Sequence, residues 1–411
     1  MLARLRSLDE PTRWWLVVAV VAAVVAIPLV LSGPGNDLDV ANVFRSGRAI
    51  ARHVDYVPSR PPGAPVHEAL VGVADLVGGP LLANLLSLGA AVALVWALHD
   101  LLVREGVGRS ARWAVLVLAA NPWFVIAATS TADYVFALLF VVLAARALRR
   151  GSPVAAGLLG ALAMGSRVGS ATLLIAVAVA EVTGAGTGSG IDDDDARRLD
   201  QGPRRGRVGS LALAAAVGVG ATALLFVPSV LEAGGLSFAQ NDFSTSSALV
   251  QVGRALAKDV LLIGLPTLLV ALAALPATVA AIRRWRTSWL VRFALVGLVT
   301  SQLLFLRFPW KMAHLLPTLL ALVVLWAVAL EDRPRVLATM VALQVLFAVV
   351  RLDVVQPDDA GQATGGRVRP GVTWGPVVTD WTCRRDHPDA YRGRQKEEVE
   401  VAWTCAAPYQ D

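Results

Sequence analysis

The chain has 411 residues, of which 56% are apolar and only 17% carry a charge. About a quarter of the residues of a soluble domain are charged, so this composition excludes an ordinary soluble protein. The net charge is +6 at pH 7, but no nucleic-acid-binding motif accompanies the basic residues, and nucleic acid is therefore excluded as a partner.

Apolar runs long enough to cross a bilayer recur along most of the chain. A membrane-spanning helix needs about 17 to 25 such residues. The first run lacks a small-residue cleavage site, so we interpret it as a retained helix and not as a signal peptide. The pattern predicts an all-α polytopic membrane protein with about eleven spans, at residues 14–32, 80–103, 112–129, 134–148, 153–165, 168–183, 208–230, 259–281, 288–306, 314–330 and 335–352.

Basic residues mark one side of the predicted membrane. They concentrate in the short loops at 104–112, 149–152, 282–286 and 331–335 and in the linker 184–207. Because loops rich in Lys and Arg stay in the cytoplasm, we predict a cytoplasmic N-terminus and an extracytoplasmic C-terminus. Residues 1–352 form the predicted transmembrane domain, and residues 353–411 form a small extracytoplasmic segment.

The first outer loop begins with a predicted surface helix at 36–53. Asn36 or Asp37 can cap this helix, and one apolar face follows. Four prolines, at 58, 61, 62 and 65, then stop the helix, fix an extended turn around Arg60 and start a new helix near Pro65. The residues expected on the apolar face are Val40, Val43, Phe44, Ile50 and Val54.

The two cysteines, Cys383 and Cys405, both occur in a Trp-Thr-Cys tripeptide near the C-terminus. Alternating apolar residues before each cysteine predict two strands. A two-stranded cap closed by a disulfide fits an oxidising exterior, and two unpaired thiols are the alternative.

Charged and titratable residues cluster at the predicted outer surface. Charges at such depth usually line a polar cavity or a substrate path. For Arg45, Arg48 and Arg52 we favour a simple interfacial position. The other members are Asp37, Asp39, Arg60, His67, Glu68, Asp133, Arg167, Arg307, Lys311 and His314.

Several of these stretches resemble the GT-C superfamily of polytopic glycosyltransferases, which use polyprenyl-phosphate sugars. The acidic residues after the first span and YVPSRPPGAPVHE resemble its first outer loop. ANPWFVIAATSTADYVFALLF, AGLLGALAMGSRVGSATLLI and LRFPWKMAHLLPTLLAL resemble later parts of the same pattern. The resemblance covers roughly the first 180 residues and residues 306–322, and it is to the family-39-like mannosyl- and aminoarabinosyltransferase type.

The resemblance implies an inverting sugar transfer with Asp39 or Asp37 as general base. Asp133 would orient the acceptor or help to hold a divalent metal, and its alternative role is a helix N-cap. The donor phosphate would be bound by Arg60, Arg167, Arg307 and Lys311. His67 and Glu68 would line the donor groove or cap the next helix, and His314 would line the groove or simply end a span.

The implied partners are a polyprenyl-phosphate-linked sugar, membrane lipid, and a glycan, lipid or protein acceptor. Whether a divalent metal takes part is left open. Two alternatives remain: a transporter or flippase for a lipid or lipid-linked sugar, which would show internal repeats and broken helices, and a non-catalytic assembly protein on the same scaffold.

Overall fold

A computed structural model describes residues 10–37, 39–183, 204–235, 247–355 and 369–388. Within these ranges the regular secondary structure is helical, apart from one two-stranded sheet. The first eight α-helices are α1 (Glu10–Leu31), α2 (Val40–His53), α3 (Pro65–Arg104), α4 (Ala111–Ala120), α5 (Pro122–Ala128), α6 (Tyr134–Arg149), α7 (Pro153–Ser166) and α8 (Ala171–Val182). The remaining ones are α9 (Arg204–Glu232), α10 (Ala248–Ile263), α11 (Leu265–Ala273), α12 (Leu275–Ile282), α13 (Trp289–Arg307), α14 (Leu316–Ala329), α15 (Pro334–Val349) and α16 (Pro376–Asp386).

Four stretches of the described chain are long and apolar enough to cross a membrane, and the number rises to six if each of two bent helix pairs is one span. The four are α3, residues 206–232, α13 and residues 312–329. The all-α polytopic membrane architecture is confirmed. Each predicted span overlaps one or more helices, and the count of eleven stays a prediction.

Two sharp bends meet inside the protein. The axes of α4 and α5 differ by 73°, and those of α10 and α11 by 87°. Asn121, at the first bend, caps α5 and donates from Nδ2 to the carbonyl of Leu262 (2.7 Å) and to Gln344 Oε1 (2.9 Å). Backbone groups freed by a bend within a bilayer need such internal partners, because lipid offers none.

The bend between α10 and α11 shows that one predicted span is not a continuous helix. The sequence predicts an unbroken helix over 259–281, but Gly264 has φ 73° and lies between α10 and α11. Glycine adopts this conformation without steric strain, and the proline that follows in α11 can start a helix but cannot continue one. The last predicted span also ends early, because residues 350–355 form a strand.

The predicted helix is confirmed as α2, and its position on the outer surface stays a prediction. Val40, Val43 and Phe44 are buried, as the apolar face requires. Val54 was placed on that face wrongly: it follows the helix with φ 54° and its side chain is 95% exposed. Arg48, for which an interfacial position is predicted, has its Nε 2.6 Å from Oδ2 of Asp75, a buried residue of α3, and its side chain is 25% exposed.

The C-terminal region differs from the predicted cap. Strands β1 (Val350–Val355) and β2 (Arg369–Trp374) pair antiparallel, with Val350 opposite Trp374. The stretch PVVTDWTC, predicted as a strand, lies in α16, which begins at Pro376. Proline at the first helical position favours a helix start and outweighs the short alternation. Cys405 and the second predicted strand lie outside the described residues, so the disulfide stays a prediction, as does the division at residue 352.

Candidate active site

Six charged side chains from separate parts of the chain meet in one place. Asp37 and Asp39 lie between α1 and α2, Arg60 in the proline-rich loop, Asp133 just before α6, Arg167 just after α7, and Lys311 between α13 and α14. We refer to Asp37, Asp39, Arg60, Asp133, Arg167 and Lys311 as the Asp39 cluster.

The members of the Asp39 cluster form a continuous set of ion pairs. Lys311 Nζ lies 2.6 Å from Asp37 Oδ1 and 2.7 Å from Asp39 Oδ2. Arg60 contacts Asp39 Oδ2 at 3.4 Å and also pairs with Asp133. Arg167 Nη1 lies 3.0 Å from Asp133 Oδ1. Each of the three carboxylates therefore contacts at least one cation.

Mutual pairing keeps Asp133 and Lys311 ionised despite their burial. Burial alone would raise the pKa of Asp133, but the guanidinium groups of Arg60 and Arg167 outweigh it and lower that pKa to about 2. Burial alone would lower the pKa of Lys311, but the carboxylates of Asp37 and Asp39 raise it above its ordinary value. Asp133 and Lys311 therefore both stay charged at neutral pH.

Glu68 holds the loop that carries Arg60. Its side chain is fully buried on the first turn of α3. Glu68 Oε1 accepts a hydrogen bond from the backbone N–H of Ser59 (2.9 Å), and Oε2 accepts one from the hydroxyl of Tyr56 (2.7 Å). Both carboxylate oxygens thus face the proline-rich loop next to Arg60, and the predicted roles of Glu68 in lining the donor groove or capping the next helix stay predictions.

A small cavity of about 10 Å³ adjoins the cluster. Its lining includes Asp37, Asp39, Arg60, His67, Asp133 and Tyr134. His67 is 1% exposed, and its ring packs against that of Phe136 with centroids 5.3 Å apart. The guanidinium carbon of Arg167 lies 3.8 Å from the ring centroid of Tyr134. Tyr134 was missed by sequence reasoning, although it directly follows Asp133.

The other two predicted site residues, His314 and Arg307, are not members of the Asp39 cluster. His314, in the turn before α14, has its ring centroid 6.1 Å from that of Tyr134, and its Nδ1 lies 3.2 Å from the carbonyl oxygen of Phe308. Arg307 is exposed at the end of α13, with its guanidinium carbon 5.2 Å from the ring centroid of Phe308. The structure thus brings Arg60, Arg167 and Lys311 together, while Arg307 is at the periphery.

The C-terminal helix fixes the two acidic loops, a role that sequence reasoning also missed. Arg384 is 1% exposed, and its Nη1 donates to the carbonyl of Thr129 (2.7 Å). Arg384 also pairs with Asp380 (2.6 Å), whose Oδ1 accepts from Asn36 Nδ2 (2.9 Å). Asn36 immediately precedes Asp37, and Thr129 begins the loop that ends at Asp133. Helix α16 therefore links the two loops that carry the carboxylates.

Asn84 of α3 also links the two loops that carry the carboxylates. Its Nδ2 donates to the carbonyl of Gly33 (2.7 Å), and its Oδ1 accepts from the hydroxyl of Thr131 (3.0 Å). The backbone N–H of Thr131 in turn donates to the carbonyl of Pro34 (2.8 Å). The separation of the carboxylates is thus set by buried polar contacts and not by the carboxylates alone.

Among the described residues, no group of three or more His, Cys, Asp or Glu side chains is suited to hold a metal ion.

Comparison with known proteins bears on the fold. No family model matches the sequence, and a search of curated proteins gives no match. Two crystal structures of ArnT from Cupriavidus metallidurans are similar over most of the chain. For the structure bound to undecaprenyl phosphate, the TM-score is 0.57 and the sequence identity is 16%, and the match covers 96% of this chain and 75% of that chain. For the apo structure, the TM-score is 0.56 and the identity is 17%, and the match covers 97% of this chain and 75% of that chain.

The chain has the fold of these ArnT structures. The resemblance inferred from short sequence stretches is therefore confirmed at the level of the fold, and the chain is a multi-pass membrane protein. Within this fold, the Asp39 cluster is formed by the loops whose sequences carried the resemblance.

Proposed function

We propose that this protein is a membrane glycosyltransferase that moves a sugar from a polyprenyl-phosphate donor to an acceptor on the extracytoplasmic side, with inversion at the anomeric carbon. The observation that carries the proposal is the contact of Asp39 with both Lys311 and Arg60 beside a small cavity. A carboxylate next to cations supplies the two groups that such a transfer needs, a base and a binder of the leaving phosphate.

The cations would bind the donor phosphate and stabilise it as it leaves. The arginines Arg60 and Arg167 can each hold two phosphate oxygens, whereas Lys311 provides a compact charge. Positive groups fixed at the position where negative charge develops are a strong source of catalysis. Arg307, at the periphery, would act on the donor as it approaches.

Asp39 would accept the proton of the attacking hydroxyl. In the structure its carboxylate is paired with Lys311 and Arg60. A donor phosphate that binds the same two cations would release Asp39 from these ion pairs and leave its carboxylate free to accept the proton. Donor binding would thereby activate the base. Asp37 is the second candidate for this role, and Asp133 would orient the acceptor.

A single base without a protein nucleophile gives inversion. Inversion requires the attacking oxygen and the departing phosphate to lie on opposite faces of the sugar, and the transition state between them has oxocarbenium character. The acceptor is a glycan, a lipid or a protein.

A flippase for a lipid-linked sugar is the second candidate, and the bent helix pairs favour it. Breaks of 73° and 87° occur within two apolar segments, and such broken helices are common in transporters. The buried polar contacts between Asn121, Leu262 and Gln344 hold these two bends together, which is more typical of a fixed scaffold.

Reconstituted liposomes distinguish the two functions. Parent protein and an Asp37→Asn, Asp39→Asn double variant are supplied with a panel of radiolabelled polyprenyl-phosphate sugars and envelope extracts that contain acceptors. A transferase moves label off the lipid in the parent only. A flippase moves labelled lipid between leaflets with the sugar still attached. If the parent leaves every sugar on its lipid, the proposed transfer is wrong.

A further inference from the structure

His67 and Tyr134 line the cavity beside Asp39, and their polar atoms take no part in the ion pairs of the Asp39 cluster. Nδ1 and Nε2 of His67 and the hydroxyl oxygen of Tyr134 are buried and have no hydrogen-bond partner among the described residues. Both side chains line the same cavity as Asp37 and Asp39. Buried polar atoms are nearly always paired in folded proteins, so three unpaired ones at one cavity indicate a site for a ligand group.

The local structure fixes both side chains. His67 lies on the first turn of α3, between the proline that starts the helix and Glu68, which holds the Arg60 loop. Tyr134 is the first residue of α6 and directly follows Asp133. The ring of His67 packs on Phe136, and the ring of Tyr134 lies under Arg167. Both rings are therefore held in place where they line the cavity.

The chemistry of these atoms indicates what the ligand group is. The carboxylates and cations around them already neutralise each other, so the unsatisfied capacity is neutral. A neutral imidazole offers one donor and one acceptor, and a phenol hydroxyl offers both. A ligand hydroxyl, which also donates and accepts, is complementary to this set. A phosphate is not, because it only accepts, and Arg60 and Lys311 serve it better.

We propose that His67 and Tyr134 form a hydroxyl-binding subsite that positions one hydroxyl of the substrate next to Asp39. The cavity of about 10 Å³ has room for one group of about the size of a water molecule, which is also the size of one hydroxyl. This inference rests on the proposed function and adds to it, because it assigns the residues that read the sugar or the acceptor separately from those that hold the phosphate.

The subsite has two sources of a hydroxyl, the donor sugar and the acceptor, and binding measurements separate them. The variants are Tyr134→Phe, which removes only the hydroxyl and keeps the ring under Arg167, and His67→Phe, which keeps an aromatic ring against Phe136. The full-length chain in lipid nanodiscs is titrated with undecaprenyl phosphate and with undecaprenyl-phosphate-linked pentose and hexose, and turnover is then measured against acceptor concentration.

Both variants should bind undecaprenyl phosphate as the parent does, because it has no sugar hydroxyl. If the hydroxyl belongs to the donor sugar, affinity for the sugar-linked donor should fall about 5- to 10-fold, which is the usual effect of one lost hydrogen bond. A donor lacking that hydroxyl should then bind the parent and Tyr134→Phe equally. If the hydroxyl belongs to the acceptor, donor affinity is unchanged and the KM for the acceptor rises by a similar factor.

Two results would overturn the subsite. One is unchanged affinity and turnover in both variants. The other is an equal loss for undecaprenyl phosphate and its sugar-linked forms, which would show a structural role only. Failure of the proposed function looks different, because it is a failure of the parent protein to transfer sugar from any donor, whatever residue stands at 67 or 134.

Discussion

The two ends of α6 carry similar charges in different arrangements. At its N-terminal end lies the Asp39 cluster, whose cations Arg60, Arg167 and Lys311 have side chains that are 15 to 24% exposed. At its C-terminal end lies a second set of ion pairs, the Asp100 cluster, formed by Asp100, Arg104, Glu105, Arg146, Arg149 and Arg150. There the side chains of Arg104 and Arg150 are 56% and 50% exposed.

The two clusters contain the same types of charged residue, but they differ in which parts of the chain supply those residues. The members of the Asp100 cluster come from the facing ends of α3 and α6 or the turns that follow them, and Arg149 also lies 3.6 Å from Glu181 of α8. Lys311 and Asp37, by contrast, are 274 positions apart in sequence. Charges at helix ends follow from membrane topology, and the exposed ion pairs of Arg104 and Arg150 stabilise a protein little, although Arg146 of the same cluster is only 5% exposed. Buried charges gathered from distant loops around a cavity require a functional reason.

Loss of the base in the Asp39 cluster should have the largest effect on turnover. Asp39→Asn keeps the size of the side chain but removes its basicity, so sugar transfer should fall by roughly 10² or more. Donor binding should survive, because Lys311 retains Asp37 as a partner. Single-turnover transfer and donor titration in nanodiscs measure the two properties separately. A double Asp37→Asn, Asp39→Asn variant that is well folded and transfers at the parent rate would refute the assignment.

Arg60 should be next in importance. Arg60→Lys keeps the positive charge but loses the planar fork that contacts Asp39 and Asp133, so turnover should fall roughly tenfold. Arg52→Lys is the matched control, because Arg52 is an exposed residue of the adjacent helix α2. Equal, small changes in kcat for both variants would remove Arg60 from the site.

Glu68 should act through Arg60. Glu68→Ala removes both hydrogen bonds that hold the Arg60 loop, so kcat should fall by roughly a factor of ten, with less effect from Tyr56→Phe, which removes only one of them. The decisive measurement is a double-mutant cycle, because residues that act as one unit are not additive. Adding Glu68→Ala to Arg60→Lys should lower kcat little further. Full additivity would show that Glu68 affects the protein by another route.

The sequence predicted the parts of the site that are close along the chain. Asp37 and Asp39 follow a membrane helix and precede a proline-fixed Arg60, so their proximity could be inferred from local chain geometry alone. Lys311 and Asp133 could be placed only on the same side of the membrane, because periodicity carries no information about which loops touch. The contacts of Arg384 could not be foreseen for the same reason, and its helix was taken for a strand since PVVTDWTC alternates over a few residues.

Helix α16 should contribute to activity more weakly. Arg384→Lys cannot reach the carbonyl of Thr129 and Asp380 with the same geometry, so the spacing of the two acidic loops should loosen. We expect a several-fold loss of kcat with an unchanged Kd for undecaprenyl phosphate, and a lower thermal midpoint. Arg385→Lys, at an exposed neighbouring position, is the control. A lower thermal midpoint with unchanged kcat would limit Arg384 to stability.

The smallest effect on turnover is expected for a change in the Asp100 cluster, at the C-terminal end of α6. This change tests whether the two clusters differ in function. Arg149 is similar to Arg60: its side chain is 30% exposed, and its guanidinium contacts Glu105 through Nε (2.7 Å) and Nη2 (3.3 Å), with Nη1 3.6 Å from Oε2 of Glu181. Arg149→Lys therefore removes the same kind of fork as Arg60→Lys but without a cavity or a base beside it. Turnover should stay within about twofold of the parent, because a partly exposed ion pair contributes roughly 0 to 1 kcal/mol. If Arg149→Lys lowers kcat as much as Arg60→Lys, both ends of the helix act through folding alone, and the Asp39 cluster loses its distinction as an active site.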